Sequence, residues 1–167
     1  MKTGHGSRNR FSIRKGTPHD VGIILSFIRE LAEYEGIGDR VTATEEALLE
    51  TLFGDDPAAE TALGLVEGKP VGFAVYYQTF STILGKRGLH LDDLFISPDS
   101  RGRGYGKEML RWLAGLAVER GCGRFEWWCM KDNTAALDFY DRLGARIHDE
   151  VFILRLEEDG ISAFADG

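Results

Sequence analysis

The sequence predicts an α+β fold: a mixed, mostly antiparallel central sheet flanked by helices. Three observations point there. Apolar positions switch between a period of two and a period of three to four, giving the order β-α-α-β-β-β-α-β-α-β. Consecutive hairpin-like strands fill the middle of the chain, and a long helix bridges two strands only late in it. No regular strand-helix alternation surrounds that helix, so a doubly wound parallel sheet is disfavoured.

The elements follow in order. Phe11-Ser12-Ile13-Arg14 alternates as a first strand. Thr17-Pro18 reads as a helix start, with a capping hydroxyl and proline at the first helical position. Val21, Ile24, Leu25, Ile28, Leu31 and Ala32 make one apolar stripe, which predicts a helix to about Glu35, stopped by Gly36. Thr44 caps a shorter helix through Ala47, Leu48 and Leu52, and Asp55-Asp56-Pro57 opens a loop. Ala62–Glu67 and Val71–Thr79 read as strands joined by Gly68-Lys69-Pro70 in a hairpin. Leu89–Ile96 is a further strand. Lys107–Arg120 carries Met109, Leu110, Leu113, Leu116 and Ala117 at helical spacing and ends at Gly121. Phe125–Cys129 is the next strand; Trp127 and Trp128 alternate on it, so one belongs in the core and the other covers a cleft or a dimer face. Asp132-Asn133 caps a helix in which Ala136, Phe139, Tyr140 and Leu143 line up, closed by Gly144, and Val151–Leu156 is the expected last strand.

At 167 residues the chain is expected to form one domain, which would bury about two-thirds of its unfolded surface. We expect a flexible tail over residues 1–10, a single domain over 11–158 and a C-terminal tail over 159–167. An apolar content of 43% excludes a disordered chain. No apolar run approaches the roughly 18–20 residues that span a bilayer, and Met1–Arg10 lacks the apolar stretch of an export signal, so a cytoplasmic location is expected. Cys122 and Cys129 form no C-x-x-C pair and read as reduced, partly buried thiols. His5, His19, His90 and His148 lack ligand spacing, so no metal is expected. The net charge of −7 argues against nucleic acid as a partner and favours a cationic small molecule.

Arg101-Gly102-Arg103-Gly104-Tyr105-Gly106 lies between a strand and a helix. Glycines there let backbone N–H groups face outward beside the positive end of the helix, which suits phosphate, and the arginines add charge. The competing reading is a tight turn with solvated arginines. A nucleotide-phosphate loop is disfavoured, because no Lys-Ser/Thr follows Gly106.

These residues resemble the acetyl-CoA signature of the GNAT acetyltransferases, Arg/Gln-x-x-Gly-x-Gly/Ala. The likeness extends to the spermidine/spermine (diamine) acetyltransferase family with its thialysine-acetylating branch. It is carried by Glu30-Leu31-Ala32-Glu33-Tyr34-Glu35, Gly72-Phe73-Ala74-Val75-Tyr76-Tyr77, Leu91-Asp92-Asp93-Leu94-Phe95, Asn133 through Phe139-Tyr140 and Leu143-Gly144-Ala145. The resemblance implies a GNAT fold whose splayed strands bind acetyl-CoA as co-substrate. Backbone groups of Leu94, Phe95 and Ile96 are then expected to pair with the pantetheine arm. Arg101, Gly102, Arg103, Gly104, Tyr105, Gly106 and Lys107 are expected to hold the pyrophosphate, and Asn133, Thr134 and Ala136 to line the cofactor. Tyr140 becomes the general acid, and Tyr34 and Glu35 line the amine site. Asp92 stands where the family has glutamate, one methylene longer, so a carboxylate reaching the amine or its relay water stays an open point. Ser81 stands where polyamine enzymes carry an acid, which leans away from long polyamines. A homodimer is also implied.

The chemistry is consistent with these roles. Amine attack on a thioester needs a neutral amine, although an alkyl ammonium has a pKa near 10.4, so a carboxylate at the cleft is a sensible acceptor. The leaving thiolate needs a donor, and a phenol serves. Asn133 and Tyr140 are seven residues apart and share one helix face. For Tyr140 a packed core phenol remains the competing reading, for Asp92 and Asp93 solvated strand-end charges, and for Tyr34 and Glu35 a plain helix terminus. The expected function is N-acetylation of a primary amine on a small cationic substrate (a diamine, a polyamine or a lysine-like amino acid such as thialysine) by direct attack. An idle acyl-CoA-binding sensor and an enzyme acting on protein amino groups are the alternatives.

Overall fold

Periodicity becomes five strands and five α-helices among the described residues, 10–166 of the computed structural model. Residues 1–9 of the expected N-terminal tail lie outside them. The chain divides into two compact units, one running to Trp128 and the other starting at Cys129.

The first unit holds β1 (Phe11–Lys15), α1 (Val21–Tyr34), α2 (Glu45–Phe53), β2 (Glu60–Val66), β3 (Lys69–Ser81), β4 (Lys86–Ile96), α3 (Tyr105–Glu119) and β5 (Arg124–Trp127). Its sheet runs β1-β2-β3-β4-β5. Every neighbouring pair is antiparallel except β4–β5, which is parallel because α3 carries the chain back across the sheet. This is the mixed, mostly antiparallel sheet that the sequence predicts.

Local chemistry sets the element ends. Thr44 Oγ1 accepts the Ala47 N–H at 3.2 Å and opens α2 as expected. At the Thr17-Pro18 start the hydroxyl is engaged differently: Thr17 donates to Asp20, which also takes both Arg14 guanidinium nitrogens at 2.7 and 2.8 Å. That ties β1 to the start of α1 and holds the Asp20 carboxyl well below the usual carboxylate range. The β2–β3 hairpin turns at Glu67 and Gly68, both with left-handed φ (51° and 79°), so Lys69 and Pro70 already belong to β3.

The two sheet faces are distinct. Ile24 and Phe27 of α1 pack with Leu63, Phe73, Val75 and Phe95 on one face, with Phe27 ring centroids 5.6 Å from Phe73 and 5.8 Å from Phe95. On the other, Trp112 of α3 meets Tyr76 edge-on at 6.1 Å. β4 changes register between these faces. Leu91 sits opposite Tyr76 and Asp93 opposite Val75, leaving Asp92 as an extra residue in a β-bulge. β5 is short and pairs only with Gly88–Leu91, ending at Trp127 rather than continuing to Cys129.

The second unit contains α4 (Thr134–Asp141) and α5 (Glu158–Ala165). Asn133 Oδ1 accepts the Ala136 N–H at 3.2 Å, and Gly144 follows α4 with φ 86°, as the cap residues predict. The segment expected as a C-terminal tail is helical over α5; Gly167 lies outside the described residues. Residues 151–156, expected as a last strand, form no ladder, and Phe152 and Leu154 are exposed. Their alternation is real, but a strand exists only through hydrogen bonds to a neighbour, and none of the described strands pairs with them.

Phe73 is fully buried at the centre of the α1-side core. Phe73→Ala is expected to cost about 3–5 kcal/mol of unfolding free energy in urea titrations. A loss below about 1 kcal/mol would show that this cluster does not hold the sheet to α1.

Candidate active site

β4 outruns β5. Beyond Leu91 its residues Asp93–Ile96 pair with β3 on one side, and Asp92–Ile96 meet no strand on the other, among the described residues. Backbone groups on that side are hydrogen-bonding sites without a ladder partner, so the expected placement of Leu94, Phe95 and Ile96 along an extended ligand arm fits this edge. The Phe95 and Ile96 side chains are buried, leaving backbone as what the edge presents.

The glycine loop ends the same strand. Gly102 and Gly104 have φ of 74° and 85°, and Gly104 is the N-cap residue of α3. The first-turn N–H groups of α3 lack carbonyls four residues back, which is the condition for holding an anion. Arg103 and Lys107 are exposed beside them. Tyr105 contributes no side chain here: its ring is buried and stacks on Phe11, with centroids 4.3 Å apart. Arg101 is turned toward the protein. Its Nε donates to the Ile96 carbonyl at 2.8 Å, and its guanidinium lies 4.7 Å from the Tyr34 ring and 5.5 Å from the Phe95 ring. Loop backbone, Arg103 and Lys107 thus fit a pyrophosphate, while Arg101 joins the end of α1 to the end of β4. A groove of about 430 Å³ lies there, lined by Leu25, Arg29, Tyr34, Phe95, Pro98 and Arg101 among others.

Carboxylates gather where β4 bulges. Without the bulge Asp93 would share the α3-side face of Leu91; the extra residue turns it to the α1 side, opposite Val75. Asp93 is half-buried, and burial with the charges of Asp92 and Glu35 pushes its carboxyl up to about 7. Burial also raises Glu35. Asp92 is exposed, yet its charge, after burial, helps raise the Tyr77 phenol. Tyr34, Glu35, Asp92 and Asp93 therefore belong to one acidic region of the first unit. Ser81 is buried at the β3–β4 hairpin, where its Oγ accepts the Leu84 N–H at 3.3 Å.

Sequence reasoning left two features of this region unmarked. Asp93 was expected as a solvated charge, and the bulge that turns it inward has no signature in sequence alone. His90 was read only as a non-ligand, although its alternation with Leu89 and Leu91 already sets it on the opposite face from them. Asn133, Thr134, Ala136 and Tyr140 are gathered on α4 and its cap in the second unit, with Tyr140 half-buried and 5.3 Å from the Phe139 ring. Among the described residues no group of His, Cys, Asp and Glu is arranged to hold a metal ion, and no helix is long and apolar enough to cross a membrane. Cys122 and Cys129 are half-buried.

Known proteins resemble this chain in sequence and fold. Residues 26–145 match the acetyltransferase (GNAT) family. The thialysine N-epsilon-acetyltransferase of Sus scrofa is 37% identical over 142 residues, covering 80% of this chain and 83% of that protein. The L-ornithine N5-acetyltransferase of Arabidopsis thaliana is 27% identical over 206 aligned positions, covering 96% and 90%. Among solved structures, an integron cassette protein from the mobile metagenome of V. cholerae superposes with a TM-score of 0.80 at 26% identity, covering 94% of this chain and 98% of that one. The chain belongs to the GNAT family of acetyltransferases. It is an N-acetyltransferase, and its relatives act on amines.

The acidic crowding gives a pH prediction. A carboxyl raised in the folded state holds its proton to higher pH than in the unfolded chain, where about 3.9 is usual. Folded stability is therefore lost as pH rises from about 4 through 7. Asp93→Asn removes that loss. Its Tm should match the parent at pH 4 and exceed it by about 8–16 °C at pH 8. Equal Tm differences at both pH values would contradict the burial of Asp93.

Proposed function

We propose that this chain transfers an acetyl group from acetyl-CoA to the primary amine of a small cationic substrate, by direct attack, and prefers short diamines or lysine-like amino acids such as thialysine to spermine. The observation that carries this reading is the acidic region of Glu35, Asp92 and Asp93 beside the open edge of β4. A cation entering there relieves repulsion among like charges. The names of the two relatives support the preference, since thialysine and ornithine are both amino acids with a terminal amine.

Acetyl-CoA supplies the acetyl group as a thioester. In this reading the open backbone of Leu94–Ile96 holds the pantetheine arm. The Gly102–Lys107 backbone, Arg103 and Lys107 hold the pyrophosphate, with Asn133, Thr134 and Ala136 lining the cofactor. Tyr34, Glu35 and Asp92 receive the amine; Arg101 supports Tyr34, and Ser81 acts through the turn it closes. Asp92 accepts the amine proton directly or through water, and the Tyr140 phenol donates to the leaving sulfur. The enzyme works as a cytoplasmic homodimer.

Mixing the protein with acetyl-CoA and an amine panel, at one pH and ionic strength, and following free thiol tests this reading. We expect thialysine or short diamines to have higher kcat/KM than spermine. Spermine ranking first would overturn the preference. Activity only on protein amino termini would overturn the small-molecule reading, and cofactor binding without turnover on any amine would leave a sensor. Tyr140→Phe should lower turnover roughly 10²–10⁴-fold with little change in acetyl-CoA affinity; unchanged turnover returns Tyr140 to packing. Gly104→Val forces a side chain into left-handed backbone and should weaken CoA binding about tenfold or more by calorimetry. Parent-like affinity would remove the loop from the cofactor site.

A further inference from the structure

The groove between α1 and the end of β4 holds two arginines, and the amine chemistry described above leaves their charge unused. Leu25 and Phe95, both buried, are among its lining residues, and Arg29 and Arg101 line it as well. Leu25, Arg29 and Glu33 are successive four-residue steps along α1, so they share one helix face. Arg101 is fixed at one nitrogen. Its Nε donates to the Ile96 carbonyl and its guanidinium lies against the Tyr34 and Phe95 rings. Its two Nη groups have no hydrogen-bond partner among the described residues. Glu30, Glu33 and Glu45 line the same groove, yet none of them is paired with Arg29 or Arg101, and Glu30 takes the Ser26 hydroxyl at 3.3 Å. An arginine needed only to bridge α1 and β4 is complete with Nε and the ring contacts. Two further N–H groups side by side, on a guanidinium already immobilised, match the two oxygens of a carboxylate. The groove also adjoins the amine region. Tyr34 lines it, and Glu35, next in the chain, lies close enough to Asp93 for its charge to act there.

We propose that this groove recognises the far end of an amino-acid substrate, with Arg101 binding its α-carboxylate through both Nη groups and Arg29 adding a second positive charge. Glu33, on the Arg29 face of α1, offers the α-ammonium an acid. The inference rests on the amine-acetylating function proposed above and narrows its substrate class to lysine-like amino acids over diamines of the same length. A diamine gives Arg101 nothing to bind, and its far ammonium meets two like charges, so the arginines select against it as well as for the carboxylate. The negative charge of the chain draws a cation in; the arginines choose what its other end carries.

Substrate pairs that differ only at the carboxylate test this: lysine with cadaverine, ornithine with putrescine, and thialysine with its carboxamide. Each pair is assayed at one pH and ionic strength, and the readout is the ratio of kcat/KM within the pair. The parent should favour the carboxylate-bearing member about 10–100-fold, the scale of one charge-assisted contact. Arg101→Gln should bring that ratio close to one, and Arg29→Gln should lower it about threefold or more. Arg29→Lys, which keeps the charge, should restore most of the ratio. A general weakening of the site lowers both members of a pair together, so the ratio separates recognition from support of Tyr34. Calorimetry follows CoA affinity in the same variants. Arg101→Gln that keeps the parent ratio overturns the proposal, and a simultaneous fall in CoA affinity would assign Arg101 to the cofactor instead. A parent that prefers the diamines or the carboxamide overturns it too. If Arg101→Gln does not fold, the parent ranking and the Arg29→Gln ratio decide in the same sense. A parent inactive on every amine would count against the proposed function itself.

Discussion

The site depends on a mismatch between two neighbouring strands. β4 continues for five residues past its last contact with β5, because β5 pairs only with Gly88–Leu91. A parallel strand reached by a crossover helix needs no matching length at its far end, so nothing in the sheet closes the remaining edge of β4. The bulge at Asp92 falls at the point where pairing with β5 stops. One extra residue there moves Asp93 to the α1 side, while the edge beyond Leu91 has no strand partner among the described residues. The same change of face sends Phe95 to the α1-side core and keeps Leu89 and Leu91 on the opposite side from it.

The electrostatics follow from that geometry. Asp92, Asp93 and Glu35 are closer together than mutual repulsion favours, and burial adds to the penalty on Asp93. A carboxyl near 7 is about half protonated at neutral pH, so a bound cation would draw its proton off and bind more tightly as pH rises. Arg101 lies at the other end of this region. Its hydrogen bond to Ile96 and its stack on Tyr34 connect the C-terminal end of β4 to the end of α1. The glycine loop and the end of α1 are therefore joined by one side chain.

Local rules were the legible part of this chain. The Thr44 and Asn133 caps, the apolar stripe of α1 and the glycine turn into α3 are all settled within a few residues, and each lies where its sequence pattern indicates. Features that depend on a distant partner were not. The bulge at Asp92 is fixed by the register of β3, so nothing in Leu91-Asp92-Asp93 announces that Asp93 changes face. Tyr105 reads as part of the phosphate loop, yet Phe11, far away in sequence, draws its ring inward. Residues 151–156 alternate well and lack a ladder, since alternation states a capacity to pair and not a partner. His90 had a readable parity, but its unpaired nitrogen emerges only from three-dimensional packing against Tyr77 and Trp128.

Amide hydrogen exchange across β4, with and without CoA, tests the central claim most directly, because it reads the open edge itself. Amides within 92–96 that point away from β3 should exchange faster in the free protein than those of 88–91, and should gain protection when CoA is added. Protection gained elsewhere, with the 92–96 amides unchanged, would contradict the assignment of this edge as the cofactor strand.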